Sequence, residues 1–239
     1  MKVLLIIPSY NEEKNVRKVY DGICSFNEEN TYRYHYVFIN DGSKDNTESE
    51  LNLCNANHIT LIQNLGIGGA VQTGYKYAYE NDYDVAVQMD GDGQHDIHYV
   101  RNIIEPIARN EADLVIGSRF VNSSSNEFKS SLLRRFGIKI ISAVIKLKMG
   151  KRIFDTTSGF RAVNRKLIKE FAANYPTEYP EPISSTFALK CGYSVSEVPV
   201  EMHERTAGVS SIRTWRNLYY MVNVVLSILA LRGGRSKNS

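Results

Sequence analysis

The stretch Val85-Ala-Val-Gln-Met-Asp90-Gly-Asp92-Gly-Gln94 most narrows what this chain can become. Its apolar run, Val85 to Met89, reads as a strand buried on both faces, as in a parallel sheet. Asp84 precedes the run and glycines follow it. A strand covered above and below needs helices on both sides, which points the surrounding chain toward an α/β architecture. Two carboxylates, Asp90 and Asp92, stand at its end on either side of Gly91. In open α/β sheets, ligands gather outside the carboxyl ends of the strands. Two hard oxygen donors on a tight, glycine-flanked turn suit Mg²⁺ or Mn²⁺ and leave positions for diphosphate oxygens. An acidic surface turn is the plainer alternative, since Asp and Gly are turn residues.

The chain on either side repeats the strand–helix alternation. Residues 2–8 form an apolar strand closed by Pro8; Asn11 is then expected to cap a helix with Glu12 and Glu13 in its first turn. Tyr34 to Asn40 is a second strand, closing on Asp41-Gly-Ser, with a helix from about Lys44. His58 to Gln63 is a short third strand. Asn64 to Gly69 is a glycine turn opening the helix Ala70 to Glu80. After the central strand come a helix over Ile97 to Arg109 and a strand over Asp113 to Gly117. Beyond Gly117 lie a polar loop with three serines (Val121 to Lys129) and a basic helix over Ser130 to Met149. A segment Asp155-Thr-Thr-Ser-Gly-Phe-Arg161 follows, then a helix capped by Asn164. Tyr175 to Pro182 reads as an irregular proline-rich loop, Ile183 to Cys191 as a helix and Ser194 to Val200 as a strand.

Three strand ends carry compatible chemistry. An aromatic ring such as Tyr10 can stack on a base, carboxylates such as Glu12 and Asp41 can accept from base or ribose, and Asp90 with Asp92 can hold a cation on a diphosphate. Together they describe a nucleoside-diphosphate site. The turn at Gly66, Gly68 and Gly69 lacks both the Gly-x-Gly-x-x-Gly spacing and the P-loop lysine, so close backbone approach beside the nucleotide is its expected use. The net charge of +3 is too small to indicate nucleic acid. Cys24, Cys54 and Cys191 have no metal spacing and fit a reducing compartment. Met1-Lys2-Val3 runs straight into a strand with no cleavable signal.

With these residues in place, the chain resembles the family 2 glycosyltransferases of the GT-A fold. The matching motifs are Ile7-Pro-Ser-Tyr-Asn-Glu12, Asn40-Asp-Gly-Ser43 with Asp45 and Thr47, Asn64 with Gly66 to Ala70, and Met89-Asp-Gly-Asp-Gly-Gln-His95. Gly117-Ser-Arg119, Ser158-Gly-Phe-Arg161 and Glu204-Arg-Thr-Ala-Gly-Val-Ser-Ser211 are similar to the polyprenyl-phosphate branch, the dolichol-phosphate mannose synthase type. The resemblance implies inverting, metal-dependent transfer from a nucleoside diphosphate sugar. It implies that Pro8, Tyr10, Glu12 and Asp41 contact the nucleoside. Asp90 and Asp92, around Gly91, would serve cation and diphosphate, with Gln94 as a third ligand; Gly69 would lie against the nucleotide. Arg119 and Arg205 would neutralise phosphates. Ser211 stands where that branch often carries Lys.

Leaving-group charge on the diphosphate calls for a cation and Arg donors. A phosphate acceptor needs cations, for which Arg119, Arg134, Arg135 and Arg205 are candidates, with Ser211 beside them. A sugar hydroxyl needs a general base, and Asp155, Glu178 and Glu181 are the candidates. The favoured acceptor is a polyprenyl phosphate; a glycosidic bond on a lipid-linked saccharide is the alternative, and a nucleotidyltransferase or a non-catalytic homologue is more remote. Residues 1–210 are expected to form the catalytic domain. Residues 211–239 are expected to form an amphipathic helix with a basic tail. Its apolar run, Leu218 to Leu231, is shorter than the roughly 20 residues a spanning helix needs. Arg213, Arg216, Trp215, Tyr219 and Tyr220 at its start suit an interface helix on the cytoplasmic face of the membrane; a small membrane partner, a second copy of the chain or the domain itself could instead cover it.

Overall fold

The computed structural model describes residues 1–121, 132–201 and 214–231, with backbone alone for 132–134 and 214–218. The polar loop over Val121 to Lys129, Arg205 and Ser211 therefore lie outside the described residues beyond Val121, and the Arg134 side chain does as well.

Strands β1 (Val3–Ser9), β2 (His35–Asn40), β3 (His58–Thr60), β4 (Val85–Gln88), β5 (Leu114–Ser118), β6 (Arg161–Asn164) and β7 (Val195–Pro199) form one seven-stranded sheet in the order β3-β2-β1-β4-β6-β5-β7. All pairings are parallel except those of β6, which runs antiparallel to both β4 and β5. This is the mostly parallel GT-A sheet. The strand β6 is absent from the sequence-based expectation, because four residues with Arg161 at one end carry no alternation signal.

The strands are buried on both faces, as the apolar runs require. Val3, Leu5 and Ile7 of β1 face one core, and Leu4 and Ile6 face the other. Helices α1 (Val16–Glu29), α2 (Thr47–Leu53) and α4 (Val100–Ala108) cover the first side. Helices α3 (Gly66–Glu80), α5 (Leu132–Met149), α6 (Arg165–Ala173), α7 (Pro180–Lys190) and α8 (Thr214–Ala230) cover the second. Pro8 is tolerated in the central strand β1 because pairing with β4 ends at Ile6 opposite Gln88, so no ladder donor is lost.

Two helix starts differ from expectation. Helix α1 begins at Val16, not beside Asn11, whose backbone is left-handed (φ 57°). Residues 11–13 spend their polar groups on the loop after β2 instead: Asn11 N–H donates to Ser43, Glu12 N–H to Thr47 and Glu13 N–H to Asp45. Helix α7 begins at Pro180, with proline in its first turn, so Glu181 is helical and not part of an irregular loop.

Helix α8 has two distinct faces. Val224 and Ile228 join the second core, and the helix packs on α5 and α7. Lys148 of α5 donates to the carbonyls of Ile228 and Leu229, each at 2.6 Å, and Lys190 of α7 donates to that of Leu231. These ammonium groups satisfy last-turn carbonyls and oppose the negative end of the helix dipole. The other face exposes Tyr219, Val222, Leu226 and Leu229. Among the described residues no helix is long and apolar enough to cross a membrane.

Candidate active site

The C-terminal ends of β1, β2 and β4 meet at one edge of the sheet, and a cavity of about 570 Å³ opens there. Pro8, Tyr10, Glu12, Asp41, Asp90, Gly91 and Asp92 all line it. The three strand ends that the sequence marks thus share one hollow. Asp41 is only 3% exposed, and its Oδ1 accepts the Leu65 N–H at 2.7 Å, which ties the end of β2 to the start of α3. Burial pushes the Asp41 carboxyl above its ordinary pKa, against the opposing hydrogen bonds from Leu65 and Gly66.

The α3 turn contributes Gly66, Ile67 and Ala70 to the wall, not Gly69. Inside a helix, residues 66, 67 and 70 share a face. Gly69 is turned back on Leu65, whose Cβ would lie 2.5 Å from an added Cβ. Gly69, expected against the nucleotide, thus packs within the first turns of α3 and does not line the cavity.

Gly91 is required where it stands, since a Cβ there would come within 2.6 Å of Ser9 Oγ and 2.8 Å of the Pro8 carbonyl. This contact lets Asp90 and Asp92 enter the hollow side by side. Asp92 is 4% exposed, and its Oδ1 accepts the Gln94 N–H. Gln94 itself is not among the cavity-lining residues. Burial acts to raise the Asp90 pKa, but a hydrogen bond and charge from His95 and the charge of Arg161 outweigh it and hold the carboxyl low. Among the described residues no cluster of three or more His, Cys, Asp or Glu is arranged as a metal cage. Two carboxylates facing one hollow are the donor set expected for Mg²⁺ or Mn²⁺ completed by diphosphate oxygens, so the residues fit such a cation.

The base candidates separate clearly. Asp155 is fully buried; its oxygens accept from Arg119 Nε at 2.8 Å and Nη2 at 2.7 Å, and from the Arg119 N–H at 3.1 Å. Neither residue lines the cavity. Asp155, expected as a possible proton-accepting base, is in this structure the partner of Arg119. Burial would lower the Arg119 pKa, but the Asp155 bond and charge raise it, so the guanidinium stays charged. Thr157, which accepts from Arg119 Nη2, does reach the cavity. Glu178 is exposed and outside the cavity, whereas Glu181 lines it. Burial raises the Glu181 pKa, with the Arg161 charge opposing. Arg135 is exposed and does not line the cavity.

Sequence reasoning missed two parts of the site. Arg161 is fully buried at the start of β6 and clamps α7, donating to the Ser158 and Glu181 carbonyls and to the Ser184 and Ser185 hydroxyls. The Ser-Gly-Phe-Arg motif was visible, but a strand of reversed direction was needed to bring it here. The second part is an apolar wall from Gly137, Ile138 and Ile141 of α5 and Tyr220 and Met221 of α8. Only tertiary packing places those two helices together.

A family model described as "Glycosyl transferase family 2" matches residues 4–171. The chain belongs to glycosyl transferase family 2. Among relatives, the UDP-N-acetylglucosamine–dolichyl-phosphate N-acetylglucosaminyltransferase of Methanococcus voltae is 34% identical over 219 residues, covering 83% of this chain and 84% of that one. The polyprenol monophosphomannose synthase of Mycolicibacterium smegmatis is 29% identical over 224 residues, covering 88% and 81%. These relatives support the polyprenyl-phosphate branch of the family. The glycosyltransferase also shares its fold with mannosyl-3-phosphoglycerate synthase from Rubrobacter xylanophilus (TM-score 0.72, 16% identity, 100% of this chain and 78% of that one). Glucosyl-3-phosphoglycerate synthase from Mycobacterium tuberculosis, in complex with Mn²⁺, UDP-glucose and phosphoglyceric acid, is similar to the same degree (TM-score 0.70, 17% identity, 96% and 79%).

Proposed function

We propose that this glycosyltransferase moves a sugar, with inversion, from a nucleoside diphosphate to a polyprenyl phosphate at a membrane surface. Mg²⁺ or Mn²⁺ would be held by Asp90 and Asp92. The observation that carries this reading is the composition of the cavity. Glu12, Asp41, Asp90, Asp92 and Glu181 line its donor side, and no Lys or Arg among the described residues joins them. Five carboxylates around a diphosphate would repel it, so a cation is needed to bring donor and acids together. When bound, it supplies positive charge to the leaving diphosphate.

The chain's own residues supply the rest. Tyr10, 42% exposed at the mouth, offers a ring to the base. Asp41 offers its remaining acceptor capacity to the nucleoside. Glu181, at the start of α7, is placed to accept from a sugar hydroxyl. The acceptor phosphate is already an anion and needs orientation more than deprotonation. The apolar wall of α5 and α8 suits a prenyl chain, and the exposed side chains of the same two helices extend that surface outward. The names of the Methanococcus and Mycolicibacterium relatives support a polyprenyl or dolichyl phosphate acceptor.

A glycosidic bond on a lipid-linked saccharide is the second reading. Glu181 favours it, as a carboxylate with a raised pKa inside the cavity. Product analysis divides the two. The first reading expects a lipid product whose sugar is released by mild acid, formed only with Mg²⁺ or Mn²⁺ present and lost on chelation. An acid-stable product would establish the second, and undiminished transfer in chelator would remove the cation from both.

A further inference from the structure

His95 approaches Asp90 from behind the donor cavity. Its Nε2 lies 3.1 Å from Asp90 Oδ2, and its side chain is 3% exposed against 36% for Asp90. The imidazole stacks on Phe160, with centroids 4.9 Å apart and planes 22° apart. Asp90 borders both the donor cavity and a second hollow of about 380 Å³ beside α1, and His95 borders only the second. On the other flank, a Cβ at Gly159 would lie 2.6 Å from Asp90 Oδ1. The carboxylate is thus confined between a backbone segment and a ring that is itself held by stacking.

The bonding pattern also assigns the ring proton. An ionised carboxylate only accepts, so Nε2 must donate. His95 Nδ1 is buried and has no hydrogen-bond partner among the described residues, so Nε2 is the ring nitrogen that binds the carboxylate.

We propose that His95 is a positioning residue of the transfer reaction. Its Nε2–H holds Oδ2, fixes the plane of the Asp90 carboxylate and leaves Oδ1 unengaged by the ring. This rests on the reading that Asp90 serves the cation. Partners of this kind, one step out from a metal ligand, typically change metal affinity or activity by about 10- to 100-fold when removed. Without the N–H, the Asp90 carboxylate rotates and the cation is held less tightly, whatever the nucleotide.

The test compares His95→Phe and His95→Met, which fill the space without a donor, with His95→Gln, whose amide N–H can reach Asp90. Asp90→Asn is the reference. Melting temperature reports folding. Calorimetry measures the Kd of Mn²⁺ in the presence of UDP, GDP or dTDP, whichever raises the wild-type melting temperature. The Phe and Met variants are expected to melt within a few degrees of wild type, to raise the Mn²⁺ Kd by about 10- to 100-fold, and to raise the Mn²⁺ concentration for half-maximal activity in step. The donor KM at saturating Mn²⁺ is expected to change little, and His95→Gln to recover most of the lost affinity. Wild-type Mn²⁺ affinity in Phe and Met, with Asp90→Asn impaired, would overturn the role of His95. So would His95→Gln binding as weakly as Phe while melting normally, which would make ring packing the cause. Wild-type Mn²⁺ binding in Asp90→Asn would instead sink the underlying assignment of Asp90.

Discussion

At the scale of single residues, the site is a set of acids whose environments differ. Asp155 is neutralised in place by Arg119, and Asp90 is held low by His95, whereas burial raises Asp41 and Glu181. Glu181 gives the sharpest expectation. Its pKa is raised above the ordinary 4.5, so on acidification it takes up a proton sooner than a free glutamate. If its ionised form accepts from the donor sugar, kcat/KM falls as pH drops through a value above 4.5, and this limb disappears in Glu181→Gln. The charged hydrogen bond is worth roughly 1.5–3 kcal/mol, so the variant should lose about ten- to a hundredfold in kcat/KM at neutral pH. A loss of about 10³-fold or more, beyond one hydrogen bond, would mark it as a general base. Both carboxylates of the Asp-Gly-Asp turn were legible because their chemistry is local. The fate of Asp155 was not, since Arg119 lies thirty-six positions away and nothing in either motif announces the pair.

At the scale of elements, β6 and α8 are where sequence reading stops. Strand β6 is four residues long and enters the sheet between β4 and β5 against their direction. No periodicity can reveal that, because its burial is imposed by neighbours distant in the chain. The apolar run of α8 was legible, but not its division into a core-facing stripe of Val224 and Ile228 and an outward stripe of Leu226 and Leu229. Lysines from two other helices fix its last turn. Replacing both, as Lys148→Met with Lys190→Met, removes charged donors from those carbonyls. The expected cost is roughly 1.5–3 kcal/mol of local stability. Hydrogen exchange should register it as faster exchange in α8 with little change in the sheet. Equal acceleration throughout the protein would show that α8 does not open by itself.

At the scale of the whole molecule, the fold was the most legible layer. Buried strands, glycine turns and interleaved helices each constrain their neighbours toward a parallel sheet, so errors of a few residues at the ends cancel. The surface is less legible, because exposure is a property of assembled helices. Helices α5 and α8, which also wall the cavity with other residues, expose Phe136 (61%), Leu226 (57%) and Leu229 (55%). Changing these three to Ser leaves the core untouched. It is expected to reduce binding to vesicles carrying anionic lipid, and to lower activity on a long polyprenyl phosphate while sparing a short, water-soluble prenyl phosphate. Equal losses on both acceptors would locate the defect in the cavity.

The reversed strand has a consequence for how such an enzyme can diversify. Segments that follow β1, β2 and β4 reach the pocket on their way out of the sheet, and each must then continue into a helix or turn packed against the body. The stretch before β6 reaches it on the way in, delivering Thr157 and Gly159 before the register opposite Gln88 is taken up. That passage is closely held, with Asp155, Thr156 and Ser158 buried and Gly159 against the Asp90 carboxylate. A lineage exploring new acceptors is therefore confined there to exchanging side chains, since added length would press on its donor machinery.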